Sequence, residues 1–438
     1  MTKQAVGTTA ALALLCTLAL GRLEWRYLAP SPRSLATIVV DTPNQRAVLF
    51  GGGAGGDLND AWTLSMDTTL GYGWRPMAVS GTPPTPRHGH AAVFDPIHDQ
   101  LVVFGGRNGG TLFNDVWTLD MGTATWQQQS PTGTPPAGRA YISAAYCPAR
   151  RSMITLHGNG SSGALDDVFE LLLDSMQWHQ VLPSGNGPEA RWSYNVFLDP
   201  DSNRLIMFGG QTGSGQFEND VWALSLETGS EAWTELNPSG SVPEGRSNCA
   251  TGYDEAGRQA YFFGGFNYNQ GVFYNDLYRL DMNTLSWADV SPGGTMPLER
   301  RCPTGIFDAE NRNFFCFGGE TYDGFTSEGL YVHVGTLGVA NWHGAEPIRP
   351  PWLSVTPLNP NRVRIKFHTP KSATATLKVL DQSGRVVRSL LSGPLASGDH
   401  ELVWDGKDER GNSVASGSYF CMLEADRSGL SEKFVLTR

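Results

Sequence analysis

The feature that most narrows what this 438-residue chain can fold into is a cassette repeated six times. Each copy opens on an arginine, at Arg33, Arg87, Arg139, Arg191, Arg246 and Arg300, in steps of 54, 52, 52, 55 and 54 residues. Each closes on a tryptophan, at Trp74, Trp126, Trp178, Trp233, Trp287 and Trp342. Between them lies a glycine pair at 51–52, 105–106, 209–210, 264–265 and 318–319; the third copy has His157-Gly158 instead. A short unit repeated in register buries its apolar surface against its neighbours, so the copies must stack.

Copy two shows the local grammar. Arg87 to Asp95 (RHGHAAVFD) is rich in small and apolar residues, and LVVF before Gly105-Gly106 is a short apolar run ended by glycines. Such a run reads as a strand buried on both faces. Val116 to Leu119 is a third strand and Trp126 starts a fourth. Four short strands per unit of this period make one blade of a β-propeller. A carboxylate follows each arginine by eight residues (Asp41, Asp95, Asp199, Asp254, Asp308), with Cys147 in the third copy. The repeated arginine and aspartate predict a buried pair between neighbouring blades. The Asn-Asp pair before the third strand (59–60, 114–115, 219–220, 275–276; Asp166-Asp167 in copy three) predicts side chains that bond nearby backbone amides. The aromatic two residues on (Trp62, Trp117, Phe169, Trp222, Tyr278, Tyr331) is large enough to fill the space between blades. Recurrence in every unit favours structural roles for these positions over six copies of a catalytic site.

R-x7-D, the FGG ending, N-D-V-W and the following tryptophan resemble kelch repeats over residues 33–342. The resemblance implies an all-β fold with a six-bladed kelch-type propeller, expected over 23–345. In copy six Glu328-Gly329 replaces Asn-Asp, so an irregular loop is expected there. Leu23 to Tyr27 reads as a spare outer strand available to the last blade.

The start of the chain, with Lys3 before an apolar stretch from Ala5 to Leu20, reads as a signal peptide over 1–21, and export is expected. Leu15 ahead of Cys16 is too large for the usual lipid-attachment signal. No later stretch is long and apolar enough to span a membrane. A net charge of −11 argues against nucleic acid and anionic membrane surfaces as partners. The cysteines beyond the signal (Cys147, Cys249, Cys302, Cys316, Cys421) show no framework spacing and no C-x-x-C, and read as small buried hydrophobes. Cys249 and Cys302 fall on first strands of adjacent blades, where a pairing is open.

After Trp342 prolines 347, 350, 351, 357 and 360 mark a linker, assigned to 346–356. Alternating strands follow: Val363–Phe367, Ala375–Asp381, Val386–Leu390, His400–Trp404, Tyr419–Glu424 and Lys433–Thr437, a small Ig-like β-sandwich over 357–438. LKVLDQSGRVVRSL, GDHELVWDGKDERGNSVASGSYF and KFVLTR resemble the FlgD-like Ig module and also the sorting domain of bacterial type IX secretion. Both likenesses imply an exported bacterial protein, extracellular or at the outer cell surface with the periplasm as alternative, and the second implies the type IX machinery as a partner.

Function falls on loops. If strands a, b, c and d run across each blade, the b–c and d–a loops share one face. Arg107, Trp192, Tyr194, Phe266, Tyr268, Arg301, Glu320 and Tyr322 are the candidate ligand-binding residues there, supplying flat apolar surfaces and charge for an extracellular protein or glycan. His88-Gly89-His90 is the candidate metal pair, since i and i+2 on a strand face the same way, but no third ligand follows from spacing. A propeller followed by an Ig-like domain also resembles galactose-oxidase-type copper enzymes in layout, although their ligands cannot be placed residue by residue. No catalytic residue and no cofactor is assigned. The reading is a binding scaffold, with a propeller enzyme using the channel mouth or a purely structural surface protein as alternatives.

Overall fold

The structure is a computed structural model that describes residues 30–66, 72–291, 296–334, 340–341 and 352–436, apart from 360–361, 370–372, 383, 397 and 426–427. The segment 1–21 read as a signal peptide, the strand expected at 23–27 and Trp342 lie outside these residues.

Six sheets succeed one another between residues 37 and 341, each a consecutive antiparallel set of four main strands. The first holds Thr37–Asp41, Arg46–Phe50, Ala61–Ser65 and Gly73–Pro76; the last holds Thr304–Asp308, Asn313–Phe317, Gly329–Val334 and Ala340–Asn341. The first strand of every sheet lies against those of its two neighbours, the sixth returning to the first, so the sheets are blades around one axis. The fourth strand described for blade 6 is Ala340–Asn341.

Each apolar cluster is shared by two adjacent blades. Val48, Phe50 and Ala61 of blade 1 meet Phe94, Leu101, Trp117 and Trp126 of blade 2; Ile38, Leu49 and Trp62 of blade 1 meet Ile306, Phe315 and Phe317 of blade 6. The repeated aromatic therefore fills the gap between blades.

The repeated polar residues take other partners than expected. Each opening arginine pairs within its own cassette, in the first five with the closing aspartate of the Asn-Asp or Asp-Asp pair. In blades 1, 2 and 4 both terminal nitrogens of Arg33, Arg87 and Arg191 reach the two oxygens of Asp60, Asp115 and Asp220 at 2.6–3.0 Å. Arg139 pairs likewise with Asp167, and Arg246 with Asp276. The same guanidinium donates to the carbonyl of the first glycine of its pair, for example Arg87 Nη1 to Gly105 O at 2.9 Å. The arginine backbone makes the link between blades: Gly52 N donates to Arg87 O at 3.0 Å and Arg87 N donates to Leu58 O at 2.9 Å. Gly51 beside it has φ +62, and a Cβ there would lie 2.8 Å from Arg87 O of the next blade, so only glycine lets the two blades come this close.

Asn59 reaches across to the next d–a loop, donating to Pro84 O at 2.9 Å; Asn219 and Asn275 do the same to Pro243 O and Pro297 O. These bonds tie the two loop sets together on one face. Aspartates of the eight-residue spacing do cross between blades, but to other partners: Asp199 takes Arg258, Asp254 takes Arg312 and Asp308 accepts from Tyr72 Oη at 2.7 Å. In blade 6 the longer Glu328 side chain still reaches Arg300 at 2.7 Å, so the arginine contact survives the changed residue.

The C-terminal module has two sheets, one of three strands and one of four, around Trp404, Phe367, Leu377 and Cys421. Its first strand is Trp352–Asn359, so the second half of the expected linker is strand. Pro357 is accommodated because this strand is at the sheet edge, where a missing N–H costs no ladder bond.

Candidate functional site

Two residues after each opening arginine the chain turns through the left-handed region: Leu35, Gly89, Tyr141, Ser193, Asn248 and Cys302 have φ between +52 and +62. This conformation points each N–H at the preceding blade's carbonyl. Gly89 N donates to Leu35 O, Tyr141 N to Gly89 O, Ser193 N to Tyr141 O, Asn248 N to Ser193 O, Cys302 N to Asn248 O and Leu35 N to Cys302 O, at 2.7–3.3 Å. The six bonds form a closed ring around the axis. They separate a cavity of about 190 Å³, walled by the inner strands, from one of about 410 Å³ at the loop face.

The larger cavity is the mouth, and all six blades line it. One wall holds Trp192, Phe266, Tyr268, Arg301, Glu320 and Phe325. Arg301 donates from Nε and Nη2 to Glu320 Oε2 at 3.1 and 2.7 Å, and its guanidinium stands 5.4–5.8 Å from the rings of Tyr268, Phe273 and Phe266. The ion pair is half-buried and the aromatic faces keep Arg301 in place. Tyr268 is 52% exposed and Phe325 40%, which leaves apolar area open at the rim.

The opposite wall holds Asp57, His88 and Tyr141. His88 Nδ1 lies 2.6 Å from Asp57 Oδ1, and its Nε2 lies 3.4 Å from Tyr141 Oη. Asp57 closes the glycine-rich loop 53–57 of blade 1, and the residue after the arginine supplies the histidine from blade 2.

Of the residues read from sequence, Trp192, Phe266, Tyr268, Arg301 and Glu320 converge on the mouth. Tyr322 stands beside it, 64% exposed and stacked on Phe273 at 4.5 Å. Arg107 folds back, its Nε donating to Gly109 O at 3.0 Å, and does not line the cavity. Tyr194 is fully buried below the ring in the core between blades 3 and 4, its hydroxyl donating to Leu156 O, because position +3 after the arginine faces the neighbouring blade. His88 and His90 do not converge either. Gly89 between them has φ +62, which breaks the strand alternation the pairing assumed. His90 is buried on the far side of the ring, its Nε2 2.8 Å from Thr37 Oγ1, and burial pushes its pKa well below the usual value. Among the described residues no group of three or more His, Cys, Asp or Glu is arranged to hold a metal ion. Cys249 and Cys302 are both buried and free; burial raises each thiol to about 12. Asp57 and Tyr141 were missed: Asp57 sits in a loop unlike those of the other copies, and Tyr141 occupies a position whose identity changes from blade to blade.

Comparison with known proteins agrees with this architecture. The model described as the KLHDC2/KLHL20/DRC7 Kelch-repeats domain matches residues 11–201, 161–256 and 200–349, and the FlgD Ig-like domain matches 359–429. The chain is similar to the dynein alpha chain of the flagellar outer arm of Chlamydomonas reinhardtii (27% identity over 66% of this chain and 7% of the dynein). It is similar to acyl-CoA-binding domain-containing protein 5 of Arabidopsis thaliana (26% identity, 62% and 42% of the two chains) and to Kelch domain-containing protein 3 of Bos taurus (28%, 52% and 60%). It thus spans less than two thirds of the length of each. The solved structure of YjhT superposes with a TM-score of 0.54 at 17% identity, over 70% of this chain and 97% of that one, a likeness of fold. With six copies of the arginine–glycine–aspartate cassette and a family match across most of its length, the chain belongs to the kelch-repeat family.

Proposed function

We propose that this protein is an exported bacterial binding scaffold that recognises an extracellular protein or glycan at the mouth of its propeller. The observation that carries the reading is the mouth itself: about 410 Å³, floored by the backbone ring, lined from six blades and rimmed by exposed aromatic faces beside an Arg–Glu pair. Concave sites with apolar walls and a few fixed polar groups are where ligands bind. Kelch-repeat relatives support an interaction scaffold, and the FlgD-type module supports delivery to the cell envelope. The sorting role of that module belongs to the same proposal.

Glycan and peptide arrays probed with the whole protein test the mouth. Trp192→Ala and Tyr268→Ala should each weaken binding at least about tenfold, the loss expected for an aromatic anchor. Binding unchanged in both variants would place recognition elsewhere. Sequencing the mature N-terminus from the native host tests export: a start near residue 22 is expected, and an intact Met1 overturns it. Loss of the residues after Pro357 should hold the propeller in the periplasm if the module is a sorting signal. The rival reading, an enzyme at the same mouth, is favoured by one observation, the alignment of Asp57, His88 and Tyr141.

A further inference from the structure

We propose that Asp57, His88 and Tyr141 form an acyl-accepting relay in the mouth, with the Tyr141 phenol as nucleophile, His88 as its base and Asp57 as the positioning residue. The proposal rests on the mouth being the functional face and adds chemistry to it. Asp57 Oδ1 at 2.6 Å from His88 Nδ1 fixes the proton on that nitrogen, which leaves the lone pair of Nε2 toward Tyr141 Oη at 3.4 Å. A nucleophile in reach of a base that a third group orients is the geometric signature of covalent catalysis, and such contacts run long when no substrate is bound.

Two facts separate this from ordinary packing. The three residues come from three different blades and all line the open cavity. The His88 and Tyr141 rings are tilted rather than stacked, with centroids 5.8 Å apart and planes at 52°, and the contact is made by Nε2 at 3.4 Å from Oη. Every member of the backbone ring shares the positive φ of Tyr141. Arg301, paired with Glu320, lines the same cavity.

Tyr141 Oη attacks the carbonyl carbon of an activated ester, its proton passes to His88 Nε2, and the Oη–C bond forms. The C–O bond to the alcohol breaks and the leaving oxygen departs with the electron pair. The imidazolium then gives its proton to that oxygen or to water.

The probe is p-nitrophenyl acetate with the full chain, with acetylated tyrosines mapped by peptide mass spectrometry. Tyr322 and Tyr268, at 64% and 52% exposure, are internal references that solvent reaches more easily than half-buried Tyr141. We expect Tyr141 to be acetylated at least about tenfold faster than Tyr322, within the range a positioned base supplies. His88→Ala should erase that advantage and leave the Tyr322 rate unchanged; His88→Gln, which keeps a polar partner for Asp57, should do the same and controls for local unfolding. Asp57→Asn should lower the Tyr141-to-Tyr322 ratio. A Tyr141 rate no higher than that of Tyr322, or one indifferent to both His88 variants, overturns the relay. The labelling needs no natural ligand, so its failure is separate from a failure to find one by array.

Discussion

At Trp117 a single side chain serves two needs. Its indole is 8% exposed against Val48 and Phe50 of the preceding blade, and its Nε1 donates to Asp115 Oδ2 at 2.7 Å. Burial alone would raise the Asp115 pKa; Arg87 and the indole N–H outweigh it and hold the carboxyl below the usual range. Trp117→Ala should cost about 3–5 kcal/mol in denaturant unfolding, the range for a large buried aromatic; a loss under about 1 kcal/mol would contradict the interblade packing. His157 is the odd residue of the repeat, standing where five copies have glycine, at φ +50 with neither ring nitrogen bonded among the described residues. Burial, then Arg191 and Arg139, push its pKa down to about 3. The unfolded chain binds the proton near pH 6.5 and the folded chain only near 3, so acid favours unfolding between those values. Its contribution is fully present above about pH 6.5 and is lost on acidification at about 1.4 kcal/mol per pH unit. Urea midpoints at pH 7, 6 and 5 should therefore fall less steeply in His157→Gly; an unchanged slope would show the imidazole is not held neutral.

At the scale of the element, each blade is pinned by one guanidinium. Arg87 is fully buried, bonds both oxygens of Asp115, and donates from Nε to Thr85 O at 3.0 Å. Its carbon Cζ lies 4.3 Å from the Phe113 ring. One side chain thus joins the d–a loop, the end of the second strand and the start of the third, while its backbone holds the glycine pair of the previous blade. Arg87→Met keeps much of the volume but strands the carboxylate, and should cost about 3–5 kcal/mol by denaturant melt, as for a buried pair broken on one side. A cost near zero would mean that Asp115 finds water instead. The Arg300–Glu328 version in blade 6, joined through one guanidinium nitrogen to the carboxylate, shows that the position tolerates a longer acid.

For the whole molecule, stability is divided in two. Among the described residues the propeller's apolar clusters sit at the six blade interfaces, and closure adds Tyr72 Oη to Asp308 and Asn311 Nδ2 to Met66 O at 2.7 and 2.8 Å. The C-terminal module has its own cluster, drawn only from residues 353–436. Trp404, 1% exposed within it, donates from Nε1 to Lys407 O at 2.9 Å. Calorimetry should show two transitions, with Trp404→Ala lowering one and leaving the other in place. A single transition that moves as a unit would show the two cores to be coupled.

Spacing alone determined most of the architecture, because a repeat of fixed period with glycine pairs and tryptophans at fixed offsets admits few ways to bury its strands. Trp192, Phe266, Tyr268, Arg301 and Glu320 were also legible as loop-face residues, since they stand at positions that vary from copy to copy of a regular scaffold, but the Arg301–Glu320 pairing was not. Only tertiary structure decided the partners. Arg87 was expected to pair with a repeated aspartate of a neighbouring blade, but it takes Asp115 of its own cassette, at the start of the third strand. His88 and His90 were separated by one left-handed glycine, and Tyr194 and Arg107 were carried away from the mouth by strand facing and a local turn. The backbone ring left no trace in the sequence: Leu35, Gly89, Tyr141, Ser193, Asn248 and Cys302 share no side-chain chemistry, because what they share is an N–H, a C=O and a torsion angle.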